Sequence, residues 1–214
     1  MSYILIPICL VGQASYIYFN TKRKNTIALL SKIIASISFV CFAYFNSAFS
    51  FNLIVIGMIF DALGDALLGI RNIIAEKKMF YLGALSFMIG HVFYIFHVLV
   101  KVKSLIVYAL ILATILVYLT LKLIKKLCRI SKTQNIIAII YLSLVFIILT
   151  LGICAYMNCL NNKWLLFMIG SFLYATSDVL LIIYNYAIKN NWLHPLYSCL
   201  YYVGQLLIAF SLMF

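Results

Sequence analysis

The stretch IGMIFDALGDALLGI, Ile56–Ile70, sets two carboxylates, Asp61 and Asp65, inside an otherwise apolar run. Spaced four residues apart, they fall on one face of a helix. The chain has 4 acidic residues in all, so half of its negative charge is committed to this segment. A third, Asp178, lies in a second run that reads much the same, IGSFLYATSDVLLII, Ile169–Ile183. An ionisable group at membrane depth is costly to keep, which makes each of these a functional candidate.

Depth in a membrane is what the composition implies. Of the 214 residues, 67% are hydrophobic and 9% charged, and the mean hydropathy is +1.16. Soluble domains run near ~25% charged. Eight apolar segments follow one another at roughly 3–19, 27–45, 51–70, 79–99, 104–124, 135–156, 164–187 and 193–213. Each can cross the hydrocarbon core as a helix, which takes about 20 residues. A β-barrel would need alternating segments of about 10 residues, and the pattern is missing. The expected fold is all-α, a polytopic integral membrane protein of eight transmembrane helices forming one domain over 1–214. The N-terminus lacks a basic leader and a cleavage site, so it reads as the first span.

The net charge of +12 raises the question of nucleic acid. The basic residues, however, sit in short clusters between apolar runs, without the exposed aromatics of a binding groove. Positive loops facing a cytoplasm and anionic headgroups account for them, and no nucleic-acid partner is expected. The first connection carries Lys22, Arg23 and Lys24, with Lys32 just inside the second span. The third carries Arg71, Lys77 and Lys78. The fifth has Lys122, Lys125, Lys126, Arg129 and Lys132, and the seventh Lys189. The alternate connections carry only Lys101, Lys103 and Lys163. The positive-inside rule therefore puts the odd connections in the cytoplasm and both termini outside, and the short loops with no sorting signal suggest a bacterial inner membrane. Lys32 is expected to snorkel towards the cytoplasmic headgroups or to serve as an interfacial anchor there. His97 and His194, near span ends, read as interfacial. The cysteines (Cys9, Cys41, Cys128, Cys154, Cys159 and Cys199) show no metal-ligand or disulfide spacing; they read as small hydrophobes, with no metal and no cofactor.

The third and seventh spans match in register. Gly57 precedes Asp65 by the same interval that separates Gly170 from Asp178, and a Leu-Leu pair follows each aspartate, at Leu67–Leu68 and Leu180–Leu181. One span later, Gly90-His91 matches Gly204-Gln205. Either the chain holds two parallel four-helix repeats, or apolar segments resemble one another by chance.

Both aspartate-bearing spans run inwards in this topology. Asp65 lies about 9 Å of helical rise before Arg71, and Asp178 precedes Lys189 by three turns. At such depths one cavity can hold both carboxylates. A cluster of Asp61, Asp65, His91, Tyr94, Asp178, Tyr202 and Gln205 can be drawn, with Tyr201 beside it. Structural readings compete for each member: a protonated aspartate bonded between helices, a packing histidine, tyrosine and glutamine as helix–helix glue. Two i,i+4 carboxylates do not both ionise cheaply, so Asp61 fits a neighbouring role as well as a catalytic one.

Four motifs in order, L-G-D-A-L-L (63–68), G-H-V-F-Y-I (90–95), S-D-V-L-L (177–181) and Y-Y-V-G-Q-L-L-I-A (201–209), resemble the YhhN-like membrane proteins, a family that includes the lysoplasmalogenases. The resemblance runs from the Lys32 region to the C-terminus. It implies an eight-span fold and hydrolysis of the vinyl ether bond of a lysophospholipid, giving a fatty aldehyde and a glycerophospho-headgroup. It also implies that Asp65 and Asp178 are the acidic pair, and it assigns nothing to Asp61. The chemistry suits two carboxylates, one to protonate the double bond and one to activate water, as in glycosidases. His91 and Tyr94 would orient a carboxyl group or the water, and Lys32 with the inner basic loops would hold the phosphate. A proton-coupled transporter and a non-catalytic lipid-binding protein would use the same intramembrane carboxylates.

Overall fold

A computed structural model describes residues 2–102, 105–127, 132–186, 190 and 192–214. Lys103, Cys128, Arg129 and Lys189 lie outside them, as does the side chain of Lys132. Among the described residues there are eight α-helices: α1 Leu5–Thr21, α2 Asn25–Asn46, α3 Leu53–Ile74, α4 Lys77–Leu99, α5 Ile106–Leu127, α6 Lys132–Cys159, α7 Asn162–Tyr186 and α8 Leu193–Phe210. Among the described residues, all eight are long and apolar enough to cross a membrane, and there is no strand. The chain is all-α and polytopic, as its hydropathy requires.

Helix ends form where the chain supplies partners for the orphaned backbone groups of a terminal turn. Asn52 caps α3, its side chain accepting from the Val55 amide at 3.0 Å. The same helix closes on Ala75, which adopts the left-handed conformation, φ 56°, and returns its N–H to Arg71 O. Asn161 caps α7 through the Trp164 amide at 3.1 Å.

Neighbouring helices pair along the chain within each half, and the two halves are packed on one plan. As α3 packs on α4, so α7 packs on α8; α2 lies against α3 as α6 lies against α7; and α2 meets α8 as α6 meets α4. The glycines that match in sequence mark the two equivalent crossings. A Cβ added at Gly90 would stand 2.8 Å from Gly57 O, and one at Gly204 would stand 2.8 Å from Gly170 O. No residue larger than glycine permits backbones to approach so closely. The ends of the halves differ: α1 also packs on α8, whereas α5 leans mainly on α6. Along α5 only Ala109, Ala113 and Ile124 are buried, and Val107, Tyr108 and Leu119 face outwards. Such apolar outer surfaces suit lipid. The polar residues are gathered inside, where α2, α3, α4, α6, α7 and α8 converge.

Candidate functional site

The three intramembrane aspartates are all buried, at 0% exposure for Asp61, 2% for Asp65 and 3% for Asp178. Each is held in a different way.

Asp65 belongs to an ion pair. Lys32 Nζ of α2 lies 2.9 Å from Asp65 Oδ1, and Ser36, one turn further along α2, donates to Oδ2 at 2.6 Å. The hydroxyl of Tyr202 reaches in from α8, 3.2 Å from Ser36 Oγ and 3.4 Å from Asp65 Oδ2. Lys32 thus does not snorkel towards the headgroups. It is 8% exposed and turns inwards, its ammonium 5.4 Å from the ring centroid of Tyr16. The reason is Coulombic: a carboxylate in a low-dielectric interior attracts a nearby cation far more strongly than it would in water.

Asp178 has no such partner. Among the described residues its one hydrogen-bond donor is Tyr141 of α6, whose hydroxyl lies 3.0 Å from Oδ2. The two aspartates are therefore approached alike, each from the preceding helix, but one meets an ammonium and the other a phenol.

Asp61 is a hub. Tyr94 donates to its Oδ2 at 2.6 Å and the Gln205 amide at 2.7 Å, while Tyr174 donates to Oδ1 at 3.2 Å. Because the single proton of Tyr174 points at Asp61, its oxygen accepts from His91 Nε2, 3.0 Å away. His91 then carries its proton on Nε2, and its Nδ1 has no partner among the described residues. The expected orienting role of His91 and Tyr94 is thus directed at Asp61, directly for Tyr94 and through Tyr174 for His91. Gln205 joins them.

A cavity of about 350 Å³ separates these roles. Asp65, Asp178, Lys32, Tyr201 and Tyr202 line it, whereas Asp61, His91, Tyr94 and Gln205 do not. Its other walls include Asn20, Asn25, Arg71, Asn72, Asn185 and His194. These residues stand at the ends of α1, α3 and α7 and the starts of α2 and α8, so the cavity opens at the end of the bundle that carries the odd connections. His194, expected at the interface, does sit at a helix start. It turns inwards instead, with the Tyr16 hydroxyl at 3.2 Å and the Asn20 amide at 3.0 Å. Tyr201 contributes a buried hydroxyl that has no hydrogen-bond partner among the described residues.

Ser36, Tyr141 and Tyr174 were not singled out by the sequence. Serine and tyrosine are frequent in apolar spans, and no spacing marks those that will meet a carboxylate. One signal was present for Tyr174: in the register that equates Asp65 with Asp178, it falls at the position of Asp61.

The arrangement offers a chamber lined by an ion-paired carboxylate and by a carboxyl group with no cation beside it among the described residues, above a buried hydrogen-bond network. In comparison with known proteins, the model of the YhhN family matches residues 27–212 of the chain. No curated protein and no solved structure matches it.

Proposed function

Because the chain belongs to the YhhN family over residues 27–212, whose members include lysoplasmalogenases, we propose that it hydrolyses the vinyl ether bond of lysoplasmalogens. The observation that carries this reading is the shared cavity of Asp65 and Asp178, with a cation beside the first and, among the described residues, none beside the second. Vinyl ether cleavage uses a proton donor to the double bond, and a carboxylate beside it can take the proton of the attacking water.

In this mechanism Asp178 supplies the proton and Asp65 is the carboxylate. Asp178 protonates the β carbon of the double bond, the π electrons form the new C–H bond, and the α carbon becomes an oxocarbenium ion. Two nearby carboxylates stabilise that cation. Water adds to the α carbon while Asp65 takes its proton, leaving a hemiacetal. Asp178, now ionised, accepts the hemiacetal O–H proton as the C–O bond to glycerol breaks, and Asp65 returns its proton to the departing oxygen. The products are a fatty aldehyde and a glycerophospho-headgroup, and both aspartates regain their starting states. Lys32 holds Asp65 in place and in charge. Tyr141 positions Asp178, and the Asp61 network supports the floor of the site.

The domain is a single unit over 1–214 in this reading, with the basic connections in the cytoplasm of a bacterial cell and the cavity facing it. The lysophospholipid substrate arrives from the surrounding membrane lipids. Asp65→Asn and Asp178→Asn test the assignment. Each is expected to lower aldehyde release by about 10²–10⁴-fold, the usual scale for a lost acid or base, while the purified protein keeps its helical circular dichroism. Near-normal turnover in either variant contradicts it.

A further inference from the structure

We propose that this site binds a single-chain phospholipid in two parts, with Arg71 gripping the phosphate at the cavity mouth and the chain passing through a slot between α4 and α6. The inference rests on the lysophospholipid reading above and assigns residues to both ends of the ligand.

Lys32 is unsuited to the phosphate, because its ammonium already belongs to Asp65. Arg71 is the cation that remains on the cavity wall. The Lys32–Asp65 contact is the one ion pair among the described residues, so no carboxylate occupies the Arg71 guanidinium. It lies instead over the ring of Phe80, 4.7 Å from the centroid. Stacking fixes the plane of the fork and leaves its N–H edge open, the geometry with which arginine takes a phosphate bidentately.

The spacing fits the ligand. Arg71 stands about 9 Å of helical rise from Asp65. In an alkenyl lysophospholipid, seven bonds separate phosphorus from the β carbon, a reach of about 8 Å at the extension per bond of an ordinary chain. A phosphate on Arg71 therefore sets the double bond at the level of the aspartates.

The chain then needs an apolar way out, and one adjoins the cavity. A slot lined by Ala84 and Phe87 of α4, Ile137, Ala138 and Tyr141 of α6, and Ile182 of α7 shares the walls Leu68, Phe80, Phe87, Leu181 and Asn185 with the main chamber. The slot is narrow, with a volume of about 50 Å³. Tyr141 belongs both to the slot and to the hydrogen bond on Asp178, so a chain lying there carries its first carbons past the proton donor.

Binding, read separately from turnover, tests this. The full-length protein in detergent is titrated with the saturated ether analogue of lysophosphatidylethanolamine, and with monoalkylglycerol, which has the chain but no phosphate. Arg71→Gln is expected to weaken the phospholipid at least tenfold and to leave monoalkylglycerol within twofold. Ala138→Phe, which fills the slot, is expected to abolish binding of a sixteen-carbon chain and retain a short one. Equal losses for both ligands in Arg71→Gln, or no loss for either, overturn the phosphate assignment. Displacement by millimolar inorganic phosphate as effective as by glycerophosphoethanolamine would show a free-anion site and also overturn it. An Ala138→Phe protein that binds both chain lengths normally overturns the slot. These outcomes can be read on a protein that binds but does not cleave, so failure of the hydrolase reading is seen separately, as binding without aldehyde.

Discussion

Burying Asp65 with Lys32 fixes what each single substitution should do. Removing one member of a buried pair strands the other, at a cost of about 3–5 kcal/mol, whereas replacing both with apolar groups is often neutral. Lys32→Met is therefore expected to lower the melting temperature sharply in detergent, and Lys32→Met with Asp65→Leu to restore most of it. A single variant as stable as wild type would deny the pair its structural role. Asp61 is held differently, by three neutral donors. Asp61→Asn places an amide N–H₂ among groups that themselves donate, and should cost about 1–3 kcal/mol while sparing more aldehyde release than Asp65→Asn. Asp65 and Asp178 stood out in the sequence because a carboxylate in an apolar span has few reasons to be there. The inward turn of Lys32 did not, since it depends on which helix lies alongside α2. Tyr141 was equally silent: only the packing of α6 on α7 gives its hydroxyl an aspartate.

At the scale of helices, the matched glycines carry the most easily tested claim. Gly57 with Gly90, and Gly170 with Gly204, set α3 against α4 and α7 against α8 at backbone contact. Gly204→Leu would drive a side chain into Gly170 O and the Tyr174 amide, forcing α7 and α8 apart. The expected result is a loss of at least about 1–3 kcal/mol, the ordinary scale of overpacking, together with a weakened Asp61 network, because Tyr174 and Gln205 lie on those two helices. Thermal denaturation checks the first, and relief of the loss by Gly204→Ala relative to Leu checks that size is the cause. The sequence revealed both glycine positions and their register. It could not reveal that Asp61 and Asp65, one turn apart on α3, would divide so sharply. One turn of depth moves Asp61 below the cavity, among Tyr94, Tyr174 and Gln205, while Asp65 faces α2 and the open chamber.

For the whole molecule, eight spans were legible because hydrocarbon admits only closed hydrogen bonding, and apolar length reports it directly. The shared plan of the halves was legible only as a faint register, and its meaning comes from packing: α2 on α8 answers α6 on α4. What no local pattern encodes is the cavity, which exists because helices from both halves leave a gap around the ion pair. Its mouth lies at the basic end. If that end is cytoplasmic, a membrane-impermeant maleimide applied to right-side-out vesicles should label Asn161→Cys and not Lys77→Cys, each placed in a protein lacking its native cysteines. The reverse pattern would turn the cavity to the outside. The account stands or falls on chemistry at that cavity, measured as free fatty aldehyde by mass spectrometry after the purified protein meets lysoplasmenyl-ethanolamine or its saturated ether analogue. It predicts aldehyde from the vinyl ether alone, formed in step with glycerophosphoethanolamine; no aldehyde above the Asp65→Asn background would contradict it.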